Sequence, residues 1–337
     1  MALVFVDGAG YYSAPGKRYE IVSGVVSAGA YGRNGGRGLH FDGSYYDQGY
    51  VHKLLPSSST YIIGYAISCS YSDPSGWPIL SLLEGSGVHV ALYLATATGL
   101  LTIKNGNGTT LASVTVAVNG FMYLEVKVYV HSSAGTVELR INGVTVASVT
   151  GINTQNGGTG IINGFSISAG GGNGTVFTAN ITDIYCCTNS GSVNNNFLGD
   201  CRVECLFPSG AGAETQWTPS TGANWQNVNE VPADDDTTYN KSNTVGQVDT
   251  YAMGDLSTAT GLIYGVQYHE SVRKDNAGSR HVAPVARIGG TDYAGTDASL
   301  GDSYAYFREI VEVSPATSAA FTISEVNAME FGIKVTA

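Results

Sequence analysis

Charge is scarce in this sequence. Lys, Arg, Asp and Glu make up 13% of the 337 residues, about half the usual ~25%. No cluster of Lys and Arg interrupts that pattern, so no nucleic-acid footprint is expected. Cysteine is sparse and odd in number, at Cys69, Cys186, Cys187, Cys201 and Cys205. A secreted disulfide scaffold is denser than this, so the thiols are expected to be free and buried in a chain folded in a reducing cytoplasm. Long apolar runs are missing too. No stretch of 18 apolar residues exists, so no membrane insertion by a helix is expected. The opening MALVFVDGAG has neither the basic region nor the long apolar region of a signal peptide. Before residue 190 no segment sustains a helical period.

The charge that is present is uneven. Residues 1–195 carry 8 Lys/Arg against 9 Asp/Glu, whereas residues 196–337 carry 8 against 18. The polar, Ser- and Asn-rich run Thr188–Asn196 reads as a linker between the two compositions. The expected organisation is a near-neutral domain over 1–192 and an acidic domain over 193–337.

What the chain does contain is glycine (45), tyrosine (21) and much Thr, Val, Ser and Asn, a mixture that favours strands and turns. Strand-like runs follow one another at 60–72, 88–96, 100–105, 121–132, 136–149, 161–168 and 177–187, with NGNG, SSAG, NGGTG and GGGNG between them. The clearest is VELRINGVTV. Asn142-Gly143 between alternating arms predicts a type I′ hairpin. Val137, Leu139 and Ile141 should share a dry face that Val144 and Val146 continue, leaving Glu138 and Arg140 wet. Strands at this spacing predict an all-β fold, a β-sandwich or jelly roll. The second half adds strands at 201–207, 244–253, 261–273, 279–290, 304–313 and 331–337. One short helix is expected after Thr322, where Thr-x-x-Glu has the capping-box spacing. The stretch 208–243 has no regular pattern, and loops that long usually make contacts or carry function.

Motifs for catalysis and metal binding are missing. Retaining glycosidases hold two carboxylates about 5–5.5 Å apart; here Glu125 and Glu138 stand alone, each two residues from a base (Lys127, Arg140), and read as wet-face ion pairs. A Ser-His-Asp set has no fixed spacing in a sequence, but no GxSxG elbow is present and the six histidines show no paired spacing. The glycines of GRNGGRG (32–38) do not open a helix, so they read as turns rather than a phosphate cradle. The cysteines lack zinc-site spacing. Asp234-Asp235-Asp236 lack the alternation and the glycine of a calcium loop; they read as a solvated loop capping its own amides or as a protein contact. The chain is expected not to be an enzyme, and no metal or cofactor is expected. Contact candidates are aromatic. Trp77, Tyr45, Tyr46 and Tyr50 suit stacking on a sugar, although tyrosines at strand edges also bury a ring and wet a hydroxyl. Trp217 and Trp225 suit anchoring the 208–243 loop to a core or a partner.

Two stretches carry a resemblance. The run FMYLEVKVYVHSSAGTVELRINGVTVASVTG (121–151) resembles concanavalin A-like, laminin-G-like jelly-roll domains. The block 194–256, from NNNFLGDCRVECLF to DTYAMGDL, is similar to a C-terminal β-module of tailed-bacteriophage structural proteins, and MALVFVDGAGYYSAPGKRYE fits how such proteins begin. The resemblance implies a virion protein: a tail fibre, spike or capsid decoration. It would assemble with itself, most simply as a homotrimer, and with other capsid or tail proteins. An alternative expectation is host attachment through a cell-surface glycan, with the jelly roll working as a lectin-like module.

Overall fold

The alternation read from the sequence is realised as sheet after sheet. The computed structural model describes residues 1–43, 48–70, 76–169 and 177–337. Two compact units divide the chain, Met1–Val203 and Glu204–Ala337.

Among the described residues the first unit holds fifteen strands. In chain order they are β1 (Leu3–Asp7), β2 (Ile21–Ser23), β3 (Val25–Gly29), β4 (Gly38–Gly43) and β5 (Gly49–Ser58). Next come β6 (Thr60–Ser70), β7 (Trp77–Glu84), β8 (Gly87–Ala95), β9 (Leu100–Asn105) and β10 (Thr110–Thr115). The last are β11 (Met122–Tyr129), β12 (Gly135–Ile141), β13 (Val144–Ile152), β14 (Ile162–Ala169) and β15 (Phe177–Thr188). They form two antiparallel sheets, one ordered β13-β12-β11-β6-β15-β4-β3 with β1 also on β15, the other β10-β9-β8-β7-β14-β5-β2. This is a jelly-roll β-sandwich, as the sequence predicts. Its core is the apolar half of each alternation. Tyr61, Ile63, Tyr65 and Ile67 of β6 are buried, the Tyr65 hydroxyl reaches Ile79 O of the facing sheet at 3.3 Å, and Phe5 meets Phe165 edge to face at 5.5 Å between ring centres.

The hairpin forms as read, with Asn142 at φ 49° and Gly143 at φ 79° and Ile141 paired to Val144. Its far arm differs. Val144 shares a face with its partner Ile141 but is 65% exposed, because it stands beside the turn on the edge strand of its sheet, where nothing covers that face. The segment 201–207 is not a strand. Its polar groups are taken by side chains instead of a ladder: Arg33 Nη2 donates to Cys201 O, and Val203 N donates to Asp183 Oδ1 at 2.8 Å.

The second unit has β16 (Pro208–Thr215), β17 (Thr218–Pro219), β18 (Asn240–Lys241), β19 (Val248–Met253), β20 (Val266–Val272) and β21 (His281–Ile288). It continues with β22 (Thr291–Ala294), β23 (Ala298–Ser299), β24 (Ala305–Val311), the helix α1 (Ile323–Ala328) and β25 (Glu330–Val335). One sheet runs β16-β19-β25-β21-β22, and β20 pairs β24 separately. Tyr268, Ala286, Ile288, Phe321, Val326 and Met329 make its core. The predicted cap is in place: Glu325 N donates to Thr322 Oγ1 at 3.1 Å. The stretch 208–243 is more ordered than its sequence suggests, with β16, the short β17–β18 pair and a 3-10 turn at Asn224–Asn227. No helix among the described residues is long and apolar enough to cross a membrane.

Candidate functional site

The outward half of the alternation in the first unit forms two polar faces, and each is built by register. Across β3, β4, β15 and β6 the residues Ser27, His40, Asn180 and Ser68 stand side by side, and Val25, Asp42, Thr178 and Ser70 form the next row. Asn180 holds the first row together. Its Oδ1 is 2.7 Å from His40 Nδ1, and its Nδ2 donates to Ser68 Oγ at 3.4 Å. In the second row Ser70 and Thr178 hydroxyls are hydrogen-bonded to each other. Tyr31 stacks on the His40 ring, 4.7 Å between centres at 24°. The result is a half-exposed ladder of hydroxyls, one amide and an aromatic stack, with Asp42 as its acid.

Farther along the same face the chain covers itself. Residues 194–203 lie across β11, β12 and β15. Phe197 packs under the Arg140 guanidinium at 4.0 Å, Asn196 Oδ1 accepts from Lys127 Nζ at 3.2 Å, and Leu198 N donates to the Tyr185 hydroxyl at 3.1 Å. Beneath this strap Glu125 is completely buried. The wet-face role expected for Glu125 is therefore corrected: it accepts from the Tyr185 hydroxyl and from Gly199 N at 2.8 Å, not from Lys127. Tyr185 lies directly over Gly64, where a Cβ would stand 2.2 Å from the ring, so glycine at 64 is what lets the ring lie flat. Arg33 closes the end of the strap through Asp183 at 2.8 Å and through Asp200. Burial pushes the Asp183 carboxyl up, and the Val203 amide and Arg33 pull it back. Cys201, itself part of the strap, is pushed up to about 12 by burial. Glu138 does pair with Arg140, at 3.0 Å.

The other sheet presents a similar face. His52, Ser166, Ser81, Ala91 and Lys104 follow one another across β5, β14, β7, β8 and β9. In neighbouring rows Tyr50 pairs with Ser168 and Tyr93 with Thr102, and Lys104 Nζ sits 4.8 Å from the Tyr93 ring centre. Both faces can donate and accept hydrogen bonds and offer ring surface for stacking, which is the chemistry of recognising a neutral polyol.

Of the sequence-predicted contact residues, Trp77 opens β7, half-buried, and Tyr50 lies in β5 on this polar face. Tyr45 and Tyr46 fall outside the described residues. The strands that Tyr50 and Trp77 begin lie at the same end of the sandwich, where β14 finishes with Ala169 paired to Gly49. Trp217 and Trp225 are half-buried within the second unit; Trp217 Nε1 is 3.4 Å from Gln247 O, and Trp217 O accepts from Asn224 Nδ2 at 2.9 Å. The three aspartates part company. Asp234 caps its own turn, accepting from Thr238 N at 3.1 Å and from the Thr238 hydroxyl. Asp235 takes the left-handed conformation at φ 57°. Asp236 accepts from Arg273 Nη2 at 2.7 Å and the Tyr304 hydroxyl at 3.0 Å, and the Arg273 bond holds it below the usual carboxylate range. Three neighbours thus do three jobs and converge on no single ion. No group of His, Cys, Asp and Glu among the described residues has metal-site geometry. The sequence did not reveal the polar ladders, because the strands β3 and β4 that supply half of one are short and irregularly patterned.

No family model matches this chain, and no curated protein matches it. Solved structures that it is similar to include the cellulose induced protein Cip1, at 14% identity over 54% of this chain and 88% of that one, with a TM-score of 0.36. The alginate lyase Aly36B is similar at 11% identity over 54% and 96%, TM-score 0.37. The lectin UEA-II, complexed with galactose, is similar at 11% identity over 55% and 97%, TM-score 0.36. At such identities and scores these likenesses carry no inference about activity.

Proposed function

We propose that this chain is an adhesive structural protein of a tailed-bacteriophage virion, a fibre, spike or decoration component. In this reading the jelly roll binds and does not turn over substrate, while the acidic second unit serves docking and self-assembly, most simply as a trimer. The virion placement is supported by the resemblance of the 194–256 block. The observation that carries the adhesive reading is the Ser27–His40–Asn180–Ser68 ladder with Tyr31 stacked at its edge. It offers hydroxyl, amide and ring groups in rows with Asp42 in the next row, and Glu125, farther along the face, is sealed beneath the strap. Such a surface suits the hydroxyls and apolar faces of a neutral host-surface glycan.

Mass spectrometry of purified virions tests the placement; absence of this polypeptide from the particles refutes it. A glycan array tests adhesion, with Tyr31→Ala and Asn180→Ala expected to abolish any signal. Binding that survives both variants moves the site to the opposite sheet, where Tyr50→Ala and Tyr93→Ala are the corresponding changes. Size-exclusion chromatography with light scattering reads the oligomer.

A further inference from the structure

One polar constellation in the second unit has no part in adhesion. Ser279, His281 and Asp297 are joined by two hydrogen bonds. His281 opens β21 and Asp297 immediately precedes β23, and the pairing His281↔Ser299 and Val282↔Ala298 brings the two side chains together across sixteen residues. Asp297 Oδ2 lies 2.6 Å from His281 Nδ1, and Ser279 Oγ lies 3.0 Å from His281 Nε2. A carboxylate only accepts, so Nδ1 carries the proton. Nε2 then presents its lone pair, and the Ser279 hydroxyl is the donor to it. Asp297 is itself fixed by the Thr336 hydroxyl on its other oxygen. The Thr336 and His281 bonds hold its carboxyl below the ordinary range, so it stays ionised and keeps the imidazole in this tautomer. Arg280 Nη1 donates to the Ser279 backbone carbonyl at 2.9 Å, which ties down the backbone of the segment that carries the hydroxyl. Ser279 is exposed and the imidazole is 28% exposed, so a small molecule can reach both.

We propose that Ser279 is a nucleophile activated by His281 and that this corner of the second unit hydrolyses small, unhindered carboxylic esters of the O-acetyl class. Ser279 Oγ bonds to the acyl carbon while its proton passes to His281 Nε2. The ester C–O bond breaks, and the departing alkoxide takes that proton and leaves as the alcohol. Water then attacks the acyl-serine, giving a proton to His281 that returns to Ser279 Oγ as acetate is released. Asp297 is a positioning residue that holds the imidazole in the required tautomer. Ser279 is exposed at the surface, so short acyl groups that need no enclosing pocket are its substrates. The proposal departs from the sequence expectation that the chain is not an enzyme, and it stands apart from glycan adhesion because it uses only residues of the second unit.

The test is labelling of the full chain with a fluorophosphonate, where a P–O bond forms at Ser279 and fluoride leaves, together with hydrolysis of p-nitrophenyl acetate. The expected result is an adduct on the peptide containing Ser279 in the folded protein, absent in Ser279→Ala and lost when the chain is unfolded in urea. His281→Ala should lower the labelling rate about 100-fold. Asp297→Asn should retain the adduct site but shift the pH profile of labelling, which a merely structural role would not do. Circular dichroism confirms that each variant folds. Failure of folded wild-type protein to label at Ser279, or equal labelling of wild type and His281→Ala, overturns the proposal.

Discussion

Two glutamates lie inside this molecule, and their surroundings differ. In the first unit Glu125 is sealed by the 194–203 strap but receives the Tyr185 hydroxyl and the Gly199 amide on one oxygen. In the second unit Glu270 projects from β20 into the core, and neither of its oxygens has a hydrogen-bond partner among the described residues. Burial, and then the Glu309 charge, push it up to about 8. The lesson concerns what covers a carboxylate. A strap of irregular backbone brings free N–H groups to the buried oxygen, whereas strands have spent theirs on the ladder. Glu270 faces Phe307 across the β20–β24 pair, with Tyr268 beside it on the same face, and is carried as the neutral acid.

Breaking that comparison should be easiest at Glu270. Its folded pKa of about 8 exceeds its ordinary 4.5. Keeping it un-ionised therefore adds no penalty below about pH 4.5, and the second unit loses stability as pH rises from there to about 8. The integrated loss is about 5 kcal/mol. Glu270→Gln should flatten the profile and raise the stability of this unit at pH 8, read by urea denaturation across pH 4–9; an unchanged slope would show that the carboxyl finds a partner. In the first unit, Glu125→Ala leaves the Tyr185 hydroxyl and the Gly199 amide unpaired beneath the strap, and should cost about 3 kcal/mol. Limited proteolysis within 194–203 should rise in parallel. If the strap stays protected, other contacts hold it.

Smaller effects sharpen the picture. Asn142→Val forces a β-branched residue into φ 49°, costing about 1–2 kcal/mol, visible as a lower Tm without loss of fold. Asp236→Asn removes an exposed ion pair with Arg273. It should leave Tm unchanged while quickening amide exchange over 234–238; unaltered exchange would mean that Asp234 holds the turn alone.

The particular residues show what was legible. The RINGV hairpin and the Thr322 cap were readable because a turn needing φ > 0 and an unsatisfied helix N-terminus each demand specific neighbours a few residues away. The strand β9 was legible end to end from alternation alone. Glu125 was misread because its alternation is that of a wet face, and nothing near it in sequence says that residues 194–203 return to cover it. Val144 takes the face its alternation predicts, but at the turn of an edge strand that face is left open to water. Neither polar ladder was visible, since His40, Asn180 and Ser68 are neighbours only by register.

By itself, then, the chain's pattern of alternating residues and turn formers determined an all-β protein, most of its strands and the absence of sequence-local metal or nucleophile motifs. Those properties depend on contacts within a few residues, where pleat and dihedral preferences act. Tertiary structure alone decided which acids are dry, which hydroxyls line up and that Ser279, His281 and Asp297 meet. Strand pairing joins distant residues, and no local preference encodes the partner.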